Sequence, residues 1–162
     1  MTAPDPTIRL PDPAATDAFA RALAPLVRAG DTLLLQGPVG AGKTAFARAL
    51  IGALRAATGL PPEDVPSPTF TLVQTYDTGP FQTWHADLYR LTDPAEVLEL
   101  GLEEAFQDAL CLVEWPDRLG SDAPGQAVTL AFDPLPDGTR LLSIRAPAGI
   151  RARFAAALDP AA

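Results

Sequence analysis

Two kinds of apolar spacing alternate along this 162-residue chain. Seven short segments are rich in β-branched, leucine or aromatic residues, and they either alternate apolar with polar positions or are apolar throughout. Both patterns predict β-strands. A glycine turn between the third and fourth segments predicts that these two form a hairpin. The predicted strands cover residues 7–10, 31–36, 70–76, 81–89, 110–114, 127–132 and 140–145.

Between most of these strands the apolar residues recur three or four positions apart, which predicts helices. Asp12 and Thr16 are alternative capping residues for the first helix, and Pro94 suits the first position of the helix after the hairpin. We therefore predict a single α/β domain, residues 1–162, with residues 1–6 flexible. Its sheet is expected to be mixed and mostly parallel, with added antiparallel hairpins and flanking helices. The predicted helices cover about residues 12–28, 44–59, 94–100, 102–109 and 150–158.

Residues 37–44, which we call the glycine loop, match the pattern G-x-x-x-x-G-K-[ST] of phosphate-binding loops. The loop follows a predicted strand and opens a predicted helix, so backbone N–H groups and the positive end of the helix can surround phosphate oxygens. Lys43, the only lysine of the sequence, is expected to reach the β- and γ-phosphates, and the Thr44 hydroxyl to bind Mg²⁺. The pattern predicts a P-loop NTPase-like fold that binds a nucleoside phosphate. The predicted nucleotide-binding residues of this segment are Gly37, Val39, Gly40, Ala41, Gly42, Lys43, Thr44 and Ala45.

Two carboxylates belong to strands that are expected to end beside the glycine loop. Glu114 ends an apolar strand, which suits an acid that anchors Mg²⁺; a solvated acid at a strand end is the alternative. Asp87 either joins the metal sphere, orients the attacking water, or pairs with Arg90 at the surface. His85 shares a strand face with Asp87, and a structural role is favoured for it over a catalytic one. The predicted catalytic residues are Lys43, Asp87 and Glu114.

Two further positions have two interpretations each. The segment Ser67-Pro68-Thr69 lies in a proline-rich stretch that predicts an irregular loop. It either forms an ordinary turn or supplies a hydroxyl that senses the γ-phosphate. Trp115, directly after Glu114, belongs either to the core or to a partner surface.

The overall composition limits the classes of partner. A net charge of −8 and a pI of about 4.5 argue against a surface that binds nucleic acid by neutralising phosphates. The sequence contains no run of about 18 apolar residues, so we predict no membrane span. It begins without a secretory signal, and Cys111 has no second cysteine to pair with. We therefore predict a cytoplasmic protein with a buried thiol.

Four strings of the sequence occur in the order and spacing of TsaE (YjeE) proteins, and the chain resembles that family over about residues 8–120. This family comprises small bacterial ATPases needed to make threonylcarbamoyladenosine in tRNA. The glycine loop alone is generic, but the other three strings together are specific. They are Ser67-Pro68-Thr69-Phe70-Thr71-Leu72-Val73, His85-Ala86-Asp87-Leu88-Tyr89-Arg90-Leu91 and Val113-Glu114-Trp115-Pro116.

The resemblance implies ATP binding and slow hydrolysis. It places Thr44 and Glu114 on Mg²⁺, Asp87 near the metal and the water, and Thr69 in a loop that responds to the nucleotide. It also implies action on a complex of TsaD, which transfers the threonylcarbamoyl group, and TsaB, with tRNA reached only through that complex. On this basis we expect Trp115 to contact the partner.

Three positions depart from the usual family pattern. Pro38 and Val39 stand where the family usually has an acid and a leucine, and Ala45 stands where it has a second threonine. None of these changes removes a phosphate ligand, although they can alter loop stiffness or the rate of hydrolysis. The adenine pocket is expected near residues 12–16.

Two other functions fit a glycine loop of this kind. A small-molecule kinase would need an acceptor pocket and usually a lid with several arginines. Arg90 is the only arginine between residues 60 and 110, which counts against a kinase. The second alternative is a nucleotide-dependent binding module that holds Mg²⁺ without hydrolysing ATP.

Overall fold

The computed structural model of the chain describes residues 5–158 and contains one seven-stranded sheet. The strands are β1 (Thr7–Leu10), β2 (Thr32–Gln36), β3 (Val73–Asp77), β4 (Gln82–Asp87), β5 (Leu110–Glu114), β6 (Val128–Pro134) and β7 (Arg140–Arg145). Their order in the sheet is β1-β7-β6-β2-β5-β4-β3. Strands β3 and β7 run opposite to the other five. The predicted mixed sheet with added antiparallel hairpins is confirmed.

Helices cover both faces of the sheet. They are α1 (Pro13–Leu23), α2 (Lys43–Ala57), α3 (Pro94–Glu99), α4 (Leu102–Asp108), α5 (Ala148–Arg153) and α6 (Ala155–Leu158). None of the helices within residues 5–158 has the length and apolar character needed to span a membrane. Of the segment 1–6 that we expect to be flexible, residues 1–4 lie outside the described part of the chain. The Pro6 carbonyl accepts a hydrogen bond from Ile144 N–H.

The continuous apolar strands are explained by a core on each face of the sheet. Leu33 and Leu35 of β2 pack with α1 and α2, whereas Leu34 points to the opposite core beside α4. A strand covered on both sides is mainly apolar on both faces. Cys111 of β5 is fully buried, as predicted, and burial raises the pKa of its thiol to about 12.

Parallel pairing brings the carboxyl ends of β2, β4 and β5 to one edge of the sheet. The strand register places Leu35 beside Glu114, and Glu114 beside Asp87. The glycine loop follows β2 at the same edge. The two predicted acids therefore lie next to each other and next to the loop because of strand order alone.

The first helix is shorter than predicted. It ends at Leu23, and a 3-10 turn, Ala24–Leu26, replaces the expected continuation to residue 28. Pro25 lacks the N–H that another α-helical turn would need. The cap is Asp12, whose carboxylate accepts from Ala15 N–H, and not the alternative Thr16.

The first arm of the hairpin also begins later than predicted. Leu72 adopts a left-handed φ of 69°, and its N–H donates to the Pro68 carbonyl at 2.7 Å, which closes a turn. Phe70 lies in that turn with 84% of its surface exposed instead of in a strand. The last helix differs as well, because Phe154 has a ψ of 0° that separates α5 from α6.

A buried ion pair fixes α5 to the sheet. Two guanidinium nitrogens of Arg153 donate to the two carboxylate oxygens of Asp31, each at 2.7 Å, and one also donates to the Leu26 carbonyl. Hydrogen bonding to Asp31 raises the pKa of Arg153 above its ordinary value. We expect Arg153→Met to lower the free energy of unfolding by about 3 kcal/mol, because it leaves a buried carboxylate without its counter-charge.

Urea titration measures this loss. Adding Asp31→Asn to Arg153→Met removes the uncompensated charge and should recover part of the stability. Arg145→Met, at an arginine whose side chain is 78% exposed, serves as the control. Equal midpoints for Arg153→Met and the control would show that the pair does not stabilise the fold.

Candidate functional site

The glycine loop joins β2 to α2 with a backbone that its three glycines make possible, all with positive φ. Gly42 has a φ of 107° and stands immediately before the first residue of α2. At Gly37, with a φ of 145°, an added Cβ would lie 2.6 Å from the Phe132 carbonyl oxygen, so a side chain there has no room. The amino end of the 15-residue helix α2 therefore opens toward the loop, where it favours an anion.

Lys43 is buried at the start of α2. Its Nζ donates to the Gly37 carbonyl at 2.7 Å and lies 3.6 Å from the centre of a Trp115 ring, a cation–π contact. Burial lowers the pKa of this ammonium group below its ordinary value, while the carboxylates Glu114 and Asp87 act in the opposite direction. The predicted phosphate-binding lysine thus has carboxylates, a carbonyl and an indole around it.

Glu114 is only 3% exposed, so the interpretation as a solvated acid is wrong. The Thr44 hydroxyl lies 3.0 Å from both carboxylate oxygens. His85 Nε2 lies 2.6 Å from Oε2, a hydrogen bond that the imidazole N–H donates when the carboxylate is ionised. The His85 Nδ1 is buried and has no hydrogen-bond partner within residues 5–158, so this histidine is not fully satisfied. The imidazole fixes the orientation of Glu114.

Asp87 is 5% exposed and holds the loop before the hairpin. Its Oδ2 accepts from the Thr69 hydroxyl at 3.2 Å, and its Oδ1 accepts from Tyr89 N–H at 3.0 Å. The alternative pairing with Arg90 is wrong, since that guanidinium lies over the Phe70 ring at 5.4 Å. The Thr69 hydroxyl is therefore tied to the same edge of the sheet as the two acids.

These groups surround one open cavity of about 440 Å³ at the carboxyl edge of the sheet. Gly37 and Ala41 do not line it: Ala41 is fully buried, and its N–H donates to the Pro38 carbonyl. The assignment of these two residues to nucleotide binding stays a prediction. The predicted residues that do line the cavity are Val39, Gly40, Gly42, Lys43, Thr44, Ala45, Thr69, Asp87, Glu114 and Trp115.

Three lining residues were not predicted as site residues: Ser67, Tyr89 and Arg140. Ser67 and Tyr89 stand two positions from Thr69 and Asp87, so the motifs that identified those residues could have included them. Arg140 begins β7, far from every motif along the chain. Only its pairing with Pro134 at the carboxyl end of β6 signals that it reaches this edge.

Trp115 lies at the wall of the cavity and packs in part against the core on the α4 side of the sheet. It is half-buried, and its left-handed φ of 58° turns the chain directly after β5. The indole packs between Lys43 and the Tyr89 ring, whose centre is 4.8 Å away. Its assignment as a partner contact stays a prediction.

The oxygen atoms at this edge of the cavity suit a hard cation whose coordination shell is completed by phosphate oxygens. Within residues 5–158, no group of three or more His, Cys, Asp and Glu side chains could hold a metal ion unaided. Mg²⁺ usually takes only one or two carboxylates and completes its shell with water and substrate phosphates. Glu114 and the Thr44 hydroxyl, 3.0 Å apart, provide such a partial set of oxygen ligands.

The segment expected to form the adenine pocket lies elsewhere. Asp12 caps α1, and Thr16 is buried with a hydroxyl that has no hydrogen-bond partner within residues 5–158. Neither residue lines the cavity. The position of the adenine stays a prediction.

The chain matches the family model described as Threonylcarbamoyl adenosine biosynthesis protein TsaE over residues 10–141. It is 39% identical over 129 residues to the tRNA threonylcarbamoyladenosine biosynthesis protein TsaE of Rickettsia bellii (strain RML369-C), covering 80% of this chain and 87% of the relative. It is 34% identical over 139 residues to the protein of the same name from Bacillus subtilis (strain 168), covering 85% of this chain and 84% of the relative.

A solved structure has the same fold. The crystal structure of YdiB from Bacillus subtilis superimposes with a TM-score of 0.78 and covers 99% of this chain and 98% of its own, at 25% identity. Because the family model spans most of the chain and relatives above 30% identity align with most of it, the chain belongs to the TsaE family.

Proposed function

We propose that this protein binds ATP with Mg²⁺ at the glycine loop, hydrolyses it slowly, and serves threonylcarbamoyladenosine modification of tRNA. The observation that carries the proposal is the convergence of Lys43, Thr44, Asp87 and Glu114 on one cavity beside the loop. The names of its relatives support the pathway. A P-loop NTPase-like fold is the corresponding proposal for the architecture.

Each side chain has a distinct task in ATP binding. Lys43 supplies the positive charge for the phosphates, and the amino end of α2 adds its partial charge to it. Lys43 has to exchange its hydrogen bond to the Gly37 carbonyl for one to phosphate, or share it. The indole of Trp115 limits how far the ammonium group can move, because it lies 3.6 Å from Nζ.

Hydrolysis is assigned to the two acids and the groups that orient them. Mg²⁺, when bound, neutralises charge that develops on the phosphates during transfer. Glu114 and Thr44 are the residues that would hold it, and His85 keeps the Glu114 carboxylate in place. Asp87 accepts from Thr69 and so orients the hydroxyl of the loop that faces the cavity.

The proposed partners are TsaD and TsaB, with tRNA reached only through them. A net charge of −8 does not suit direct tRNA binding, whereas it does not hinder contact with proteins. Exposed apolar side chains of Val39, Phe70 and Tyr89 lie on the loops around the cavity. A protein partner that covers these loops would also cover the nucleotide site, which would make hydrolysis depend on the partner.

The two alternative functions predict other products from ATP. The absence of other arginines between residues 60 and 110 still counts against a kinase lid, and Arg90 itself packs on Phe70. Incubation with γ-labelled ATP, TsaD, TsaB and tRNA separates the three. Free labelled phosphate supports an ATPase, a labelled acceptor supports a kinase, and unchanged ATP that remains bound supports a binding module.

Trp115→Ala tests the link between the site and the partner. We expect ATP affinity to fall by no more than about 30-fold, since a cation–π contact contributes about 0.5–2 kcal/mol. We expect tRNA modification with TsaD and TsaB to be lost, because the indole lies between Lys43 and the exposed Tyr89. Nucleotide titration and a reconstituted modification assay measure the two effects.

Trp84, the other tryptophan, provides the control. It is half-buried on β4 against the core and does not line the cavity. Trp84→Ala should lower the melting temperature yet leave modification intact where the protein is folded. If Trp115→Ala instead loses stability and ATP binding together while modification follows the folded fraction, Trp115 is a core residue and the partner assignment fails.

A further inference from the structure

Arg140 places a second cation beside the glycine loop. It begins β7, and its register partners are Leu10 on β1 and Pro134 on β6, at the sheet edge that carries the loop. The guanidinium lies directly over Gly42. A Cβ added at Gly42 would be 2.8 Å from Arg140 Nη1 and 3.1 Å from both Cδ and Cζ. Gly42 thus leaves the space that the arginine fills.

No protein group within residues 5–158 accepts a hydrogen bond from this guanidinium. Within residues 5–158, Arg140 has neither an ion pair nor a hydrogen bond, although it is half-buried and lines the cavity. A guanidinium has five N–H donors, and those of Arg140 are accessible to an anionic ligand in the cavity. By contrast, the Arg153 guanidinium donates to Asp31, and that of Arg90 lies over the Phe70 ring.

The charges around the cavity also favour a second cation there. Lys43 is the only other cationic side chain that lines it, and Asp87 and Glu114 bring two carboxylates. Without Arg140, two carboxylates and one ammonium group would face an anionic ligand, and their net charge would repel it. Guanidinium groups match phosphate oxygens in a two-pronged geometry that an ammonium group cannot provide.

We propose that Arg140 binds the phosphate chain of the nucleotide together with Lys43, from the opposite side of Gly42. This inference rests on the proposed function, because it names a further ligand for the same nucleotide. It gives β7, which contains none of the motifs of the sequence, a part in the site.

The test compares ATP with inorganic triphosphate, which has phosphates but neither base nor sugar. Both are titrated in competition with a fluorescent ADP analogue, on the wild-type protein, Arg140→Ala and Arg140→Lys. We expect Arg140→Ala to weaken both ligands by about 10- to 100-fold, the loss typical of a charge-assisted contact. Arg140→Lys should lose less, because it keeps the charge without the two-pronged geometry.

Arg145→Ala removes an exposed arginine from the same strand and is expected to bind both ligands like the wild type. Arg140→Gln keeps most of the stem and replaces Arg140→Ala if that variant does not fold. Wild-type affinity of folded Arg140→Ala for triphosphate overturns the inference, even if ATP binding weakens, because the contact would then be to base or sugar. In that outcome the proposed function stands. If instead the wild-type protein binds no ATP, both the proposed function and the role of Arg140 are wrong.

Discussion

Lys43→Ala is expected to weaken ATP binding by at least about 100-fold, or about 3 kcal/mol, while the protein stays folded. The ammonium group is the cation at the start of α2, and its replacement leaves Asp87 and Glu114 facing the phosphates with less opposing charge. The free energy of unfolding falls by much less than the free energy of ATP binding. The Gly37 carbonyl loses one hydrogen bond and Trp115 loses one cation–π contact, each about 1 kcal/mol.

Two measurements separate affinity from folding. Titration with a fluorescent ATP analogue gives the dissociation constant, and thermal unfolding with and without ATP gives the stabilisation by bound ligand. Lys43→Ala should melt within a few degrees of the wild type without ATP and gain almost nothing when ATP is added. Arg48→Ala, which removes an exposed cation from the same helix, should keep the full gain. Near wild-type affinity of Lys43→Ala would contradict nucleotide binding at the glycine loop.

The parts of the fold that depend on local pattern were predictable. Strand β7 has the bounds that alternation predicts, and β5 has those of the apolar run. The position of Glu114 beside the glycine loop followed from parallel strands ending at one edge, and the register confirms it, whereas Asp87 reaches Glu114 because the hairpin arm β4 also pairs in parallel with β5. Periodicity predicts such elements because it records which face of a strand or helix meets the core.

The parts that depend on backbone detail or distant pairing were not predictable. Left-handed φ values at Leu72 and Trp115 shorten β3 and turn the indole over Lys43, yet neither residue type favours that conformation. Arg140 reaches the cavity only because β7 pairs with β6, an arrangement that no local sequence pattern records. His85 illustrates a third case: its strand face was predicted, but its contact with Glu114 depends on the register of β4 and β5.

Glu114→Gln is expected to lower the rate of ATP hydrolysis by about 100- to 1000-fold, the range seen when one electrostatic group of a catalytic site is removed. The amide has the size of the carboxylate and can still form hydrogen bonds with Thr44 and His85, so the protein should fold. It has no charge and is a poor ligand for Mg²⁺. ATP affinity without Mg²⁺ should be at least that of the wild type, since one negative charge near the phosphates is gone.

The dependence on Mg²⁺ gives a readout that does not require turnover. In the wild type Mg²⁺ should tighten ATP binding, and in Glu114→Gln most of that gain should disappear, because the ion loses its charged protein ligand. Asp117→Asn is the matched control. The Asp117 side chain is 63% exposed and does not line the cavity. Its carboxylate, like that of Glu114, acts to raise the pKa of Lys43. It removes a nearby negative charge without removing a ligand, so both hydrolysis and the Mg²⁺ effect should persist. If folded Glu114→Gln hydrolyses ATP within a few-fold of the wild type, or keeps the full Mg²⁺ effect, Glu114 does not hold the metal. The negative charge that holds the ion at that edge would then have to come from Asp87, whose oxygens accept from Thr69 and Tyr89.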